Sequence, residues 1–321
     1  MILLVFALDS GLCYTFQQSQ AMSQLTPPYP LILDGLKQGR VIPFLGAGAS
    51  LGSRASDAEW EKYLVSCVPT ANELAKYLAK QAVFPSDESP DLTKVAQYFG
   101  VVGGRGALEQ ELHSIFDCDF PLTSLHTFLA EIPSPLLIVT TNYDDLIERA
   151  FKAKGRSYDV VIHTTNPKFG DRVLWWQHDA TEPQVVIPQK LDIDLSRTTV
   201  IYKMHGAVDR FDRGRDQYVI TEDDYVDFLA RMIKNKAIPS IFAEPFQTKH
   251  FLFLGYGLRD WNWRVVLNRI EKDLRRHKKL NSWAIQKEPS SLEKKLWERR
   301  EVNVYDMTID DFVKELQSRQ T

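Results

Sequence analysis

Three polar residues that could take part in chemistry each follow an apolar stretch of the sequence. Asn142 and Asp144 come after Leu136–Thr140, and His205 comes after Thr199–Met204. An amide can orient a water molecule, a carboxylate accepts hydrogen bonds, and an imidazole can exchange a proton near neutral pH. The three side chains together suit a reaction that depends on positioning and charge stabilisation.

A turn of small residues, Gly46-Ala47-Gly48-Ala49-Ser50, follows the apolar run Val41–Leu45. Glycines let backbone N–H groups approach an anion closely, so this turn is typical of a site that holds a pyrophosphate. Leu51 stands where the dinucleotide fingerprint G-x-G-x-x-G has its third glycine, which disfavours an ordinary dehydrogenase. A second turn of this kind, Gly255-Tyr256-Gly257, follows Phe251–Leu254.

Each polar residue also has a simpler structural interpretation. Asn142 or Asp144 could cap a helix predicted over Asp144–Lys154, because both residue types are favoured at that position. His205 could be a buried histidine without a chemical role, although its place beside Gly206 at a strand end makes the two interpretations equally good.

The elements that must position these residues alternate between strands and helices. Thr70 and Glu73 form a capping box, which predicts a helix start at Ala71. The predicted strands are Val41–Leu45, Leu136–Thr140, Thr199–Met204, Phe251–Leu254, Ser282–Ile285 and Val302–Tyr305. The predicted helices are Ala71–Ala82, Asp91–Phe99, Ala107–Phe116, Asp144–Lys154, Glu222–Lys234, Trp261–His277, Ser291–Arg299 and Ile309–Ser318. The alternation predicts an α/β fold with a doubly wound, Rossmann-like parallel sheet and a helical insertion or small subdomain.

One domain is expected over residues 31–321, with insertions beside the sheet at about 52–130 and 156–198, where the alternation is interrupted. Residues 1–30 are expected to be an irregular N-terminal extension. Their apolar start, Met1–Leu8, lacks basic residues and is too short to span a bilayer, with a signal peptide as the alternative.

The composition narrows the class of protein. A net charge of −3 gives no global preference for nucleic acid or anionic membranes. The three cysteines, Cys13, Cys67 and Cys118, lie far apart, which argues against a zinc module and favours a reducing, cytoplasmic setting. The basic stretch from Arg264 to Lys279 is interpreted as a solvated helix face, with a partner or nucleic-acid surface as the alternative.

The order and spelling of the motifs resemble the sirtuin superfamily. Sirtuins carry G-A-G-x-S, T-x-N-x-D, H-G and a further glycine-containing turn in this order. Here the motifs are Gly46–Ser50, Thr140–Asp144, His205-Gly206 and Gly255–Gly257. The resemblance extends over roughly residues 35 to 316.

One departure from the sirtuin pattern is informative. Protein-deacylating sirtuins bind zinc through four cysteines after the Asn motif, and this chain has no cysteine after Cys118. The chain therefore looks closer to the zinc-free sirtuin-like domains of bacterial antiphage defence systems, such as Thoeris effectors and those paired with HerA-type ATPases or short Argonautes. Members of that group hydrolyse NAD to nicotinamide and ADP-ribose.

The resemblance implies a role for each matching position. Asn142 would orient the attacking water, Asp144 would hold the carboxamide, and His205 would contact the ribose hydroxyls as base or electrostatic support. The remaining positions would bind the nucleotide: Gly46, Ala47, Gly48 and Ser50 at the pyrophosphate, Thr141 within the Asn motif, and Gly255, Tyr256 and Asp260 on the adenosine side. NAD would be the substrate, with no prosthetic group and no metal.

The expected function is NAD hydrolysis that depletes NAD in antiphage defence, held off until a partner or a signal arrives and controlled by assembly into a homo-oligomer. A HerA-like ATPase or a short Argonaute is a candidate partner, and neither membrane binding nor direct nucleic-acid binding is expected. Two alternatives stay open. The domain could bind NAD or ADP-ribose without turnover. It could instead be a protein deacylase, against which the missing cysteines argue, or an ADP-ribosyltransferase.

Overall fold

The computed structural model describes residues 26–52, 54, 60–62, 67–234, 236–256 and 282–320. These residues form a nine-stranded, mostly parallel sheet with helices on both faces, and a separate two-stranded sheet. The predicted α/β, Rossmann-like class is therefore confirmed.

The large sheet has the strand order β11-β10-β9-β1-β2-β6-β3-β4-β5, and all neighbours are parallel except β3 with β4 and β4 with β5. The small sheet pairs β7 with β8. The strands are β1 Val41–Leu45, β2 Leu137–Thr140, β3 Asp159–His163, β4 Val173–Trp176, β5 Gln184–Val186, β6 Val200–Lys203, β7 Gly206–Ala207, β8 Gln217–Tyr218, β9 His250–Leu254, β10 Ser282–Gln286 and β11 Val302–Asp306.

The helices of the described residues lie between these strands. They are α1 Tyr29–Lys37, α2 Ala71–Ala82, α3 Leu92–Gly103, α4 Arg105–Phe116, α5 Ser124–Glu131, α6 Leu146–Ala153, α7 Glu222–Ile233, α8 Ala243–Thr248, α9 Ser291–Glu298 and α10 Ile309–Gln317. None of them is long and apolar enough to cross a membrane.

Each face of the large sheet has its own hydrophobic core, because successive strand residues point to opposite faces. On one face, Phe44 of β1 belongs to the core that contains Phe228 of α7 and Trp297 of α9. On the other face, Leu45 belongs to the core that contains Phe128 of α5 and residues of α1, α6 and α10. A third core joins α2, α3 and α4 to residues near the small sheet.

Several predicted elements match the structure closely. Strand β1 has the predicted bounds, and helix α2 begins after Thr70 with the full capping box to Glu73. The prediction was wrong for part of residues 156–198, since β3, β4 and β5 are strands of the large sheet rather than an appendage beside it. The three segments are short, and β3 and β5 begin with polar residues, so they lack a clear period-2 signal. The helix predicted over Trp261–His277 and the predicted extension before residue 26 lie outside the described residues.

Candidate active site

The four motifs singled out in the sequence follow four strands that are direct neighbours in the sheet. In the order β9-β1-β2-β6, these strands lead into Gly255, Gly46, Asn142 and His205. Because the strands are parallel, their carboxyl ends meet at one edge of the sheet, where open α/β sheets bind ligands. The motifs therefore face a common region.

The turns after β1 and β9 are in backbone contact. The Gly48 N–H donates to the Gly255 carbonyl at 3.0 Å. A Cβ at Gly48 would lie 2.8 Å from the Gly255 Cα, and a Cβ at Gly255, whose φ is +66°, would lie 2.4 Å from the Ala49 nitrogen. Glycine is required here because the two backbones touch and the one at Gly255 is left-handed. This is a structural reason for the glycines, in addition to the approach of a phosphate that the sequence analysis expected.

Ser50, Asn142 and Asp144, which we call the strand-end cluster, are connected by hydrogen bonds. The Asn142 Nδ2 group donates to the Ser50 Oγ at 2.9 Å and to the Gly46 carbonyl at 3.0 Å. The Ser50 Oγ donates to the Asp144 Oδ2 at 2.9 Å. The structure thus brings together three of the residues that the sequence analysis assigned to the site.

Asp144 also serves the helix that follows it. Its Oδ1 accepts from the Leu146 N–H at 3.2 Å at the start of α6, while its Oδ2 accepts from Ser50. The Asp144 carboxylate thus supports the start of α6, although the N-cap residue is Asp145, whose side chain makes no capping hydrogen bond. Asn142 makes no such contact, since its amide points toward the turn after β1.

Thr141 and the chain around it tie β1, β2 and β6 together. The Thr141 N–H donates to the Leu45 carbonyl at 3.2 Å. Met204 and Val208 donate their N–H groups to the Thr140 and Tyr143 carbonyls at 2.9 and 3.0 Å. His205 lies between these two hydrogen bonds, so it runs alongside the loop that carries Asn142.

Gly206 fixes the direction of the chain after His205. Its φ is +90°, and a Cβ there would lie 2.1 Å from the Gln217 carbonyl oxygen on β8. No other residue type fits a left-handed position in backbone contact with a neighbouring strand. The H-G pairing in the sequence therefore has a local structural cause.

His205 lies in an apolar environment that we call the histidine pocket, formed by His205, His163, Tyr225 and Phe228. Tyr225 and Phe228, both on α7, face the His205 ring edge-on with ring centroids 5.4 and 5.7 Å away. His205 is 5% exposed, and burial lowers its pKa to about 3. Within the described part of the chain its imidazole has no hydrogen-bond partner, so this ring is neutral at cellular pH.

A second buried histidine, His163 at the end of β3, adjoins the same aromatic ring. Its centroid lies 4.9 Å from that of Phe228. Burial first, and then the positive charge of Arg231, lower the pKa of His163 to about 3. Its Nδ1 atom is buried and unpaired among the described residues. Neither the Gly46–Ser50 turn nor the Asn motif pointed to this residue.

An open cleft of about 520 Å³ lies at the carboxyl ends of β1, β9, β10 and β11. Gly48, Gly255 and Tyr256 line it, whereas Ala47 is exposed and Gly46 is buried. Tyr256 is 7% exposed and packs edge-on against Phe44, with ring centroids 5.6 Å apart. Asp260, assigned to the adenosine side from the sequence, lies outside the described residues.

The sequence analysis missed most of the residues that line this cleft. Arg54 and Glu73 form an ion pair there, and the second Arg54–Glu73 contact, Nη1 to Oε2, is 2.9 Å long. Burial raises the pKa of Glu73, but hydrogen bonds from Arg54, Thr70 and Trp60 outweigh it and lower the pKa to about 2. The other missed residues include Thr70, Thr123, Gln286, Lys287, Thr308 and Asp310. The last four follow or end predicted strands, so the rule that ligands bind at strand ends could have found them.

Ser50 also stands in Gly48-Ala49-Ser50-Leu51-Gly52, which spells the G-x-S-x-G pattern of serine hydrolases. In those enzymes the serine is activated by a histidine. Here the Ser50 Oγ donates to a carboxylate and accepts from an amide. The surroundings of Ser50 are therefore those of a linking hydroxyl rather than of a nucleophile.

Metal chemistry has no obvious location in the described residues, where no group of three or more His, Cys, Asp or Glu side chains is placed to hold an ion. What these residues do provide is a phosphate-type turn, an amide beside a carboxylate, and a neutral imidazole at adjacent strand ends. This arrangement lies where Rossmann-like sheets bind their ligands.

Residues 136–305, more than half of the chain, match the model of the SIR2-like domain. The chain belongs to this family. The matched region contains Asn142, Asp144, His205 and Gly255, and the Gly46–Ser50 turn precedes it.

The chain also resembles individual proteins, with sequence identities between 24% and 29%. It is 29% identical over 237 residues to the NAD(+) hydrolase ThsA of Bacillus cereus (strain MSX-D12). The aligned region covers 72% of this chain and 41% of that protein. It is 27% identical over 252 residues to the ThsA of Enterococcus faecium, covering 77% and 43%. It is 24% identical over 262 residues to defense-associated sirtuin 2 of Bacillus subtilis, covering 82% and 22%. The chain thus spans well under half the length of these relatives.

Proposed function

We propose that this protein hydrolyses NAD to nicotinamide and ADP-ribose. The observation that carries the proposal is the hydrogen-bonded cluster of Ser50, Asn142 and Asp144 at the ends of adjacent strands, next to the turn at Gly48. The names of the ThsA relatives support it, since they are NAD(+) hydrolases that align with about three quarters of this chain.

Cleavage of the N-glycosidic bond of NAD needs little covalent chemistry. The bond between the ribose C1′ and the pyridinium nitrogen breaks, and nicotinamide leaves as a neutral molecule. Water adds to the oxocarbenium-like carbon and releases one proton to the solvent. In this proposal Asn142 orients the water and Asp144 accepts from the carboxamide of the nicotinamide. The Gly46–Ser50 turn and the cleft at Gly48 and Gly255 bind the diphosphate and the adenosine.

His205 contributes through its charge state. A neutral imidazole beside the nicotinamide ribose does not repel the cationic pyridinium or the developing positive charge on the ribose. Burial keeps His205 neutral by lowering its pKa to about 3. The ring can accept a hydrogen bond from a ribose hydroxyl and so fix the sugar during the reaction.

Incubation of the purified chain with NAD, alone and together with any activating partner, followed by chromatography of the products, tests the proposal. The activated wild type is expected to release nicotinamide and ADP-ribose in equal amounts. Asn142→Ala is expected to lower kcat about 100- to 1000-fold, because the water loses its orienting group. Asn303→Ala, at an exposed position on β11, is the matched control and should keep full activity.

Other outcomes identify the alternatives. Calorimetric binding of NAD without release of nicotinamide would make the chain a binding module. Radiolabel from NAD transferred to protein would make it an ADP-ribosyltransferase. Full activity of Asn142→Ala would remove the role given to the amide.

We further propose that this activity serves antiphage defence and is held off until a partner or a signal arrives. The name of the Bacillus subtilis relative, defense-associated sirtuin 2, supports the setting. A HerA-like ATPase or a short Argonaute is a candidate partner, with assembly into a homo-oligomer as the controlling step in the cytoplasm. A monomer that is fully active alone in size-exclusion chromatography and turnover assays would contradict this regulation.

A further inference from the structure

Lys203 is a buried cation within reach of the proposed site. It is the last residue of β6, two residues before His205, and only 1% of its side chain is exposed. Lysine is almost never fully buried unless its charge is paired, because removing an ammonium group from water is costly. The position of Lys203 therefore needs an explanation.

The ammonium group of Lys203 has two partners on the segment that follows β2. It donates to the backbone carbonyl of Asp144 and, over 2.8 Å, to the Glu148 Oε1 on α6. The Glu148 carboxylate is itself incompletely satisfied, since its Oε2 is buried without a partner among the described residues. Burial raises the pKa of Glu148, while the Lys203 charge opposes that rise.

The Asp144 residue is thus held from two sides. Lys203 holds its main-chain carbonyl, and Ser50 holds its side-chain carboxylate, with the Ser50 Oγ to Oδ2 distance at 2.9 Å. The same Ser50 hydroxyl accepts from the Asn142 amide at 2.9 Å. Any movement of the Asp144 main chain would consequently shift the partner that orients Asn142.

An ion pair kept for stability alone is a poor explanation of this arrangement. An apolar side chain of similar length could fill the same space without the desolvation cost of two buried charges. The pair also leaves one carboxylate oxygen of Glu148 unpaired. What an apolar replacement could not supply is the donor to the Asp144 carbonyl.

We propose that Lys203 is a positioning residue for NAD cleavage. It fixes the main chain at Asp144 so that Asn142 and Asp144 face the same nicotinamide riboside, and it joins this loop to the strand that leads into His205. The proposal rests on the proposed NAD hydrolysis. A displacement of about 1 Å at a reacting group can lower a rate roughly 100-fold, so the effect should appear in kcat rather than in the KM for NAD.

Two variants separate positioning from charge balance. Lys203→Met leaves Glu148 as an uncompensated buried carboxylate and should lower both the Tm and kcat. The double variant Lys203→Met/Glu148→Met removes both charges, so its Tm should return to about the wild-type value. Its kcat should stay about 100-fold below the wild type, with the KM for NAD nearly unchanged, because the Asp144 carbonyl still lacks its donor.

A matched control removes a different partly buried ion pair. Lys62 pairs with Glu111 of α4, and neither residue is among those that line the cleft. Lys62→Met/Glu111→Gln should retain the wild-type kcat. Recovery of both Tm and kcat in the Lys203→Met/Glu148→Met variant would overturn the proposal, because Lys203 would then serve only to balance Glu148.

Hydrogen exchange of the peptide 141–146 gives a readout that does not depend on turnover. Faster exchange in Lys203→Met/Glu148→Met than in the wild type is expected, and unchanged exchange would overturn the positioning role. If the wild type released no nicotinamide even with an activating partner, the proposed function would fail, while the exchange result would still decide whether Lys203 holds this loop.

Discussion

The strand-end cluster and the histidine pocket lie on neighbouring strands but are built from opposite kinds of interaction. In the cluster, the polar groups of Ser50, Asn142 and Asp144 satisfy one another over distances of 2.9 Å. In the pocket, aromatic rings of α7 surround His205, and its imidazole has no polar partner among the described residues. Directional hydrogen bonds hold the side chains of the strand-end cluster, whereas apolar packing that excludes water surrounds His205 in the histidine pocket.

This difference separates two requirements of the proposed reaction. Hydrogen bonds are directional, so the cluster can fix where an amide and a carboxylate point. Burial disfavours charge, so the pocket can fix the protonation state of His205 without any charged neighbour. A change in the cluster should therefore alter geometry, whereas a change in the pocket should alter the response to pH.

The largest expected effect comes from removing the imidazole from the pocket. His205→Leu should lower kcat about 100- to 1000-fold, because the ribose hydroxyl loses the acceptor that fixes the sugar. Its Tm should be at or above the wild-type value, because an apolar side chain replaces a buried polar ring without a partner. Nicotinamide release and thermal unfolding measure the two effects. His178→Leu, at a side chain that is 42% exposed, is the control, and full activity of His205→Leu would exclude a chemical role.

A smaller effect should follow from replacing one aromatic ring of the histidine pocket by a smaller side chain. Phe228 is 1% exposed and contacts both His205 and His163, so Phe228→Leu should cost about 1–3 kcal/mol of unfolding free energy. Water admitted beside His205 should raise its pKa from about 3 toward its usual value, so that activity is lost at a higher pH as the solution is acidified. Urea unfolding and a pH profile of kcat measure these changes. An acid limb at the wild-type position would mean that Phe228 does not set the pKa.

The smallest effect per residue concerns acid stability. Burial lowers the pKa values of His205 and His163 to about 3 and that of His126 to about 4. In the unfolded chain the histidine pKa values are about 6.5, so below that pH the unfolded chain binds more protons than the folded one. The contribution of these histidines to the free energy of unfolding is therefore fully present above about pH 6.5 and is lost as the pH falls from there toward the folded pKa values. Each histidine should cost roughly 1–2 kcal/mol between pH 7 and pH 5.

Urea unfolding at pH 7, 6 and 5 measures this loss, and His163→Leu should make the dependence shallower. Titration of Glu73 does not contribute to the loss of stability between pH 7 and pH 5. Its folded pKa is about 2, so its contribution is lost only as pH falls below its unfolded value of about 4.5 toward 2. An equal pH dependence in His163→Leu and the wild type would contradict the buried, neutral state of His163.

The strand ends are the part of the site that sequence alone can locate. Short apolar runs such as Val41–Leu45 are buried on both faces, so their ends are easily found, and the polar residues after them share one edge of a parallel sheet. This reasoning predicts that Asn142, Asp144 and His205 follow strands of one sheet. It cannot show that Ser50 connects Asn142 to Asp144, since that contact joins residues that are far apart in the chain.

The surroundings of His205 could not be predicted in the same way. The pattern of Glu222–Lys234 predicts a helix, but not that Tyr225 and Phe228 would cover a histidine that follows β6. The strands β3 to β5 were missed because Asp159 and the exposed Gln184 and Val185 weaken their hydrophobic pattern. Which face a short element buries is decided by its partners, not by its own residues.

The contact between the turns at Gly48 and Gly255 sets the order in which the site can be assembled during translation. Until β9, which begins only at His250, has emerged from the ribosome and paired with β1, the nucleotide turn lacks the backbone that supports it. Joining segments so distant in the chain is slow, because the entropy of loop closure is lost before the contact forms. A nascent chain therefore completes this contact between the two turns only after Gly255 has been synthesised, long after Gly48.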